Sequence, residues 1–242
     1  MRTSLTLPLI LLASVAVLAP AGSPAVAAQP QPTPAREAVA RAERIEPYRA
    51  RFGRARPVIA VIGENGGTEL TDFVIPYGIL AQSGVADMVS VGIRPGVLTM
   101  RPALHIQPGA TAAQFDARFP QGADYVIVPA MVKRDDPALL AWLRQQSGRG
   151  ATIVSICDGA LVAANAGLLG GHRATAHWAT IGYRRKTYPD VRWVENRRFV
   201  ADGRIVSSAG ISAAIPTALA LVEAIGGHDK AAAVGRRTGT AE

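Results

Sequence analysis

The sequence predicts a single doubly wound α/β domain, a mostly parallel sheet with helices on both faces. Three observations carry this. Segments of strand length alternate with segments of helical length from Pro57 to about Gly227, a span that suits one core and shows no internal repeat. The strands at 58–62 and 125–128 are continuous apolar runs, as strands covered on both faces are. The strand at 152–156 passes abruptly into a small-residue apolar helix at 160–166, which places the turn residue Cys157 at the carboxyl edge of a parallel sheet.

Residues 1–27 have the pattern of a secretory leader. Arg2 precedes an apolar run over 5–18, then come Pro20, Gly22 and Pro24, and Ala25-Val26-Ala27 offers a small-residue cleavage site. The run is short for a membrane span, and no cysteine follows it to carry a lipid anchor. Cleavage after Ala27 or Ala28 leaves an exported chain, periplasmic or extracellular, without stable membrane insertion; an uncleaved amino-terminal anchor is the alternative. Residues 28–56 read as a Pro-rich spacer and a basic arm, with Thr33 and Pro34 opening a short helix over 35–45. Its thin apolar face puts it outside the core, able to dock on it.

The domain proper spans 57–227. After the first strand a glycine-rich loop fills 63–67, and a helix over 71–82 carries Phe73, Ile75, Ile79 and Leu80, with Asp72 at its start. Residues 88–93 form the second strand, and 97–106, interrupted by Arg101-Pro102, a small hairpin or a pair of edge strands. A short helix is expected over 111–119, then the strand at 125–128 ended by Pro129. Asp136 caps and Pro137 opens a helix over 137–146 that turns Leu139, Leu140 and Leu143 inward. Beyond the elbow, Leu168-Leu169-Gly170-Gly171 turns the chain and 172–178 lead into another helical segment. Residues 193–206 read as a hairpin about Asp202-Gly203, 207–212 as a loop of small residues, and 213–225 as a closing helix stopped by Gly226-Gly227. Residues 228–242 are left as a short tail.

The formal charge of +8 becomes +7 once Arg2 leaves with the leader (8 − 1). Such a balance permits attraction to anionic surfaces, and a solvated basic exterior explains it equally well. Histidines at 105, 172, 177 and 228 lie far apart with no ligand spacing, so no structural metal and no cofactor is expected. Cys157 is the sole cysteine, and in an oxidising compartment it has no intramolecular partner. It is therefore either a small buried hydrophobe or a functional thiol, whose thiolate fraction a helix N-terminus would raise. Gly159 lets the helix start close against the strand.

Ser-Ile-Cys-Asp-Gly-Ala-Leu, then Ala-Gly-Leu-Leu-Gly-Gly-His-Arg-Ala-Thr-Ala-His-Trp, then Ser-Ser-Ala-Gly-Ile-Ser-Ala-Ala-Ile resembles the ThiJ/PfpI superfamily in order and spacing. The likeness covers residues 57–227 and is nearest the isonitrile hydratase branch and the sensor domains of AraC-type regulators. It implies a flavodoxin-like fold of the class I glutamine amidotransferase type. It implies that Asp72, within Thr-Glu-Leu-Thr-Asp-Phe-Val-Ile-Pro-Tyr, touches the sulfur of Cys157; an ordinary first-turn aspartate is the other reading. His177 falls on the family's Thr-Thr-His-Trp histidine, as a pocket residue or base, or merely as a packed ring.

Two departures stand out. Asp158 occupies the place of the histidine that follows the cysteine in protease-like members, so a Cys-His dyad at the elbow is not available. Asp158 is read either as the N-cap of the elbow helix or as a pocket carboxylate that favours neutral or cationic ligands. The family's Pro-Gly-Gly becomes Pro129-Ala130-Met131, and Ala130 and Met131 do not adopt glycine-only conformations cheaply. The function expected is attack by Cys157 on a small electrophilic carbon of the nitrile, isonitrile, amide or aldehyde class. Amides near Ala130 and Asp158 hold the developing anion, and Asp72 passes protons. A ligand-binding or cysteine-oxidation sensor module is the alternative, with no nucleic-acid partner. The resemblance also implies a homodimer. Its ionic state is expected to be a thiolate beside a protonated Asp72, on which Asp72→Ala raises the thiol pKa and slows alkylation at pH 6.

Overall fold

The computed structural model describes residues 44–240. The leader, the spacer and the helix expected over 35–45 lie outside the described residues, except that Arg44 and Ile45 are seen and are not helical. The main sheet has seven strands: β1 (Val58–Gly63), β3 (Asp87–Gly92), β6 (Ala110–Thr111), β7 (Tyr125–Val128), β8 (Thr152–Ile156), β11 (Phe199–Asp202) and β12 (Ile205–Ser208). Their order is β11-β12-β8-β7-β1-β3-β6, and every pair is parallel except β11 with β12. The antiparallel edge is the Asp202-Gly203 hairpin, shorter than expected and extended through Ser208. Ser207 and Ser208 are thus buried strand residues, not loop, and Ser207 Oγ accepts from the Thr175 N–H at 2.8 Å.

Alternation along β1 sorts the core into two layers. Val58, Ala60 and Ile62 pack on one face with Phe115, Leu139, Trp142 and Leu143. These come from α2 (Ala112–Arg118), which Thr111 and Gln114 close with a reciprocal capping box, and from α3 (Pro137–Gly148), capped by Asp136. Ile59 and Val61 pack on the other face with Phe73, Leu80, Leu221 and Val234. These belong to α1 (Leu70–Ser83), α6 (Ile211–Gly226) and α7 (His228–Arg237). Where a tail is expected beyond residue 227 there is a helix, with Val234 fully buried. Its short apolar stripe, Ala231 and Val234 among charged residues, is too sparse a signal to separate from a solvated segment.

The remaining elements are small. β2 (Thr68–Glu69), β4 (Leu98–Arg101) and β5 (Leu104–Ile106) form a three-stranded sheet that contains the expected hairpin. β9 (Arg173–Ala174) and β10 (Arg192–Trp193) pair in parallel, so Trp193 lies outside the hairpin the sequence suggested. α4 (Gly159–Asn165) follows the elbow, and α5 (Ile181–Thr187) follows a single 3₁₀ turn, Trp178–Thr180. The basic arm is docked: Tyr48 N–H donates to Ala224 O at 2.7 Å, and Arg54 Nη1 meets Asp124 Oδ2 at 2.9 Å. No helix among the described residues is long and apolar enough to cross a membrane.

Candidate active site

Cys157 sits between β8 and α4 at the carboxyl edge of the sheet with φ 57°, in the left-handed region. A non-glycine residue there stores strain of roughly 1–3 kcal/mol, which surrounding structure must hold in place. Part of the hold is the Cys157 N–H bond to Ser208 O, 3.0 Å, which ties the turn to β12. Another part is Gly159. A Cβ there would stand 1.9 Å from Val128 O, so α4 can start against the end of β7 only with glycine at this position. Gly159 therefore shapes the elbow through its backbone.

Asp72 is fully buried in the first turn of α1. Its Oδ2 accepts from the Ala130 N–H at 3.1 Å, and its Oδ1 has no hydrogen-bond partner. Just before it, Glu69 caps α1: Oε2 accepts from the Asp72 N–H at 2.6 Å and from Thr71 Oγ1 at 2.7 Å. The charge of the nearby Glu69 favours the protonated form of Asp72. Sequence reasoning missed Glu69. A glutamate lies outside the usual capping set, and the signal was its position three residues before Asp72 at a helix start.

The loop after β7 is zipped to β2, with Glu69 N–H to Ala130 O and Val132 N–H to Gly67 O both at 2.8 Å, and Met131 bridges to Thr68. Neither Ala130 nor Met131 has positive φ, so the loss of the two glycines imposes no strain. The Ala130 amide is nevertheless corrected as an oxyanion donor: Asp72 already holds its hydrogen.

Burial pushes Asp72 up to about 7; the Ala130 N–H opposes this, while the charge and hydrogen bond of Glu69 and the charge of Asp158 add to it. Burial, then the charge of Asp72, also raise the Cys157 thiol; the Asp158 N–H opposes them, and Asp158 and Glu69 raise it further. The upward shift of the thiol runs against the expected thiolate. α4 is two turns long, and its field does not offset three neighbouring carboxyls around a buried sulfur. The expected protonation of Asp72 keeps its direction.

Asp158 makes no side-chain cap to α4; its Oδ1 accepts from Thr180 Oγ1 at 2.9 Å. The capping reading thus gives way to the pocket reading. A cavity of ≈ 370 Å³ is lined by Asp158, Glu69, Ala130, Met131, Arg101 and Arg134, among others. His177 is half-buried against Trp178, ring centroids 5.4 Å apart, and its Nδ1 accepts from the Ala179 N–H at 3.3 Å. It does not line this cavity. Its carbonyl accepts from Thr180 Oγ1 at 2.9 Å and from the buried Arg184 at 2.7 Å, so it positions the residue that holds Asp158.

Among known protein families, the DJ-1/PfpI family fits residues 58–224. An HTH-type transcriptional regulator of Pseudomonas aeruginosa, CdhR, is 42% identical over 86 residues, 36% of this chain and 25% of the regulator. Isonitrile hydratase of Pseudomonas putida is 36% identical over 98 residues, 40% of this chain and 41% of the hydratase. The matches thus span less than half of either relative. Among solved structures, Drosophila melanogaster DJ-1beta superposes with TM-score 0.69 at 22% identity, covering 77% of this chain and all of that one. An AraC family transcriptional regulator from Pseudomonas putida superposes with TM-score 0.65 at 17% identity, covering 76% of this chain and 99% of the other. These likenesses carry the flavodoxin-like fold.

Proposed function

The chain belongs to the DJ-1/PfpI family, and on that footing we propose that it is a cysteine-dependent enzyme that adds water to a small, uncharged electrophilic carbon, with nitriles and isonitriles foremost. The observation that carries the reading is Cys157, held at φ 57° at the sheet edge, with the fully buried carboxyl of Asp72 within electrostatic range of its thiol. A neutral thiol is a weak nucleophile, so it needs a base as it attacks. Ionised Asp72 takes the S–H proton while sulfur bonds to the carbon of the C≡N group, and returns it to the substrate. The product of this step is a thioimidate. Water then adds to that carbon, the C–S bond breaks, and the thiol leaves with its proton restored; the net change is addition of one water.

The engaged Ala130 amide favours C≡N substrates over amides. Charge developing on a C≡N group is quenched by a proton, whereas a tetrahedral oxyanion needs free donors such as that amide no longer offers. The same engagement also favours a second reading, a ligand-binding module without turnover, in line with the regulator relatives. The leader-like residues 1–27 extend both readings to an exported protein.

Incubation of the wild type and Cys157→Ser with small nitriles and isonitriles, with amide or formamide products followed by mass spectrometry, tests the proposal. Product from the wild type and none from the variant is expected. Equal product from both removes the thiol from the chemistry, and binding without product selects the second reading.

A further inference from the structure

We propose that Arg184 is a positioning residue for the elbow: it satisfies the His177 carbonyl, commits the Thr180 hydroxyl to Asp158, and so blunts the repulsion that this carboxylate exerts on the Cys157 thiolate. The inference rests on Cys157 being the reacting group proposed above. Arg184, 1% exposed, is the only buried lysine or arginine among the described residues. A cation is costly to bury unless polar groups replace its water, so its place calls for a reason. Burial lowers its pKa, and the charges of Glu195 and Asp158 oppose this; Glu195, however, is ion-paired with Arg185. What the guanidinium does contact is the turn beside Asp158. Its Nη1 donates to His177 O at 2.7 Å and reaches Thr180 Oγ1 at 3.5 Å, and the Trp193 ring backs the group, its centroid 5.2 Å from Cζ.

Thr180 has one hydroxyl hydrogen and two acceptors in reach, His177 O and Asp158 Oδ1, each at 2.9 Å. With Arg184 donating to His177 O over the shorter distance, the carboxylate is the acceptor left to Thr180. A carboxylate that accepts a hydrogen bond is held in its charged form, and part of its charge is offset by the donor. Asp158 follows Cys157 directly in the chain. After burial, which counts most, the charges of Asp72, Asp158 and Glu69 raise the thiol. The charged groups about Asp158 itself are Arg184 and, across the cavity, Glu69, Arg101 and Arg134. Of these, Arg184 is the one that reaches Thr180. Without it the hydroxyl hydrogen turns back to His177 O and leaves Asp158 bare beside the sulfur.

The apparent pKa of Cys157, read from iodoacetamide alkylation rates against pH, tests this. Thr180→Val, at a half-buried position, removes the hydroxyl and keeps the shape of the side chain. It should raise the thiol pKa by about half a unit and slow alkylation at pH 8 by about threefold, since below its pKa a thiol loses about tenfold in thiolate per unit. Thr180→Ser keeps the hydroxyl and should keep the wild-type profile. Arg184→Met should slow alkylation at least as much as Thr180→Val. Both effects should largely vanish in an Asp158→Asn background, which a role in folding alone does not predict; if Arg184→Met does not fold, the two Thr180 variants decide. Thr180→Val at or above the wild-type rate, or the same slowing in the Asp158→Asn background, overturns the inference while the thiol chemistry stands. A wild-type Cys157 that is not alkylated at any pH overturns both.

Discussion

Asp72 carries a carboxyl into a fully buried place where one amide, that of Ala130, partly replaces water, and where burial and the charge of Glu69 favour its protonated form. A carboxyl raised to about 7 binds its proton more tightly folded than unfolded. Its contribution to stability is therefore fully present below the unfolded pKa and is lost as pH rises through about 7. Asp72→Asn keeps an acceptor for the Ala130 N–H and removes the titration. Urea denaturation should show the wild type losing about 2–4 kcal/mol relative to Asp72→Asn between pH 5 and pH 8, since each tenfold difference in proton affinity between the folded and unfolded chain is worth about 1.4 kcal/mol. The same variant should alkylate Cys157 faster at pH 8, by about tenfold or more, because removing the nearest negative charge raises the thiolate fraction. Slower alkylation would restore the thiolate that the helix-terminus argument favours. Cys157, Asp72 and Gly159 were legible because strand, turn and glycine are local patterns. The cost of burying the sulfur among three carboxyls was not, since it depends on residues 69, 72 and 158 meeting in space.

The elements divide in the same way. Buried strands and capped helices such as α3 announce themselves through continuous apolar runs and through Asp136-Pro137 at a helix start. α7 does not. Its burial rests on Ala231 and Val234 meeting α1 and α6, a tertiary event with little trace in so short a stripe. Val234→Asp would place a charge without a partner in a fully buried position, which costs several kcal/mol. Lys230→Asp, on the exposed side of the helix, should stay within about 0.5 kcal/mol of the wild type. Denaturation midpoints for the two variants check this, and similar losses would mean that α7 is stabilised by its charge pattern and not by its apolar contact.

On the scale of the molecule, the two edges of the sheet do different work. The carboxyl edge holds Cys157, Asp158 and the cavity; the opposite edge is closed by the arm at 44–56. Arg51 donates to the carbonyls of Arg149 and Gly150 just before β8, Arg54 pairs with Asp124 just before β7, and Arg56 pairs with Asp87 at the start of β3. The arm is irregular chain, so no periodicity reveals that it crosses these strand ends, and its arginines look like a solvated basic face in the sequence. Asp124 is the centre of this closure. Its Oδ2 accepts from Arg54 and from the Val58 N–H, both at 2.9 Å, and its side chain is 1% exposed. Arg54→Met leaves that carboxylate buried with its cation gone, which should cost about 3–5 kcal/mol in urea denaturation. The alkylation rate of Cys157 under folding conditions should change less than about twofold, because the variant sits at the far edge of a rigid, close-packed sheet. A large change in that rate would show that the arm is coupled to the elbow through the strands, and would move it from a stabilising element to one that tunes the site.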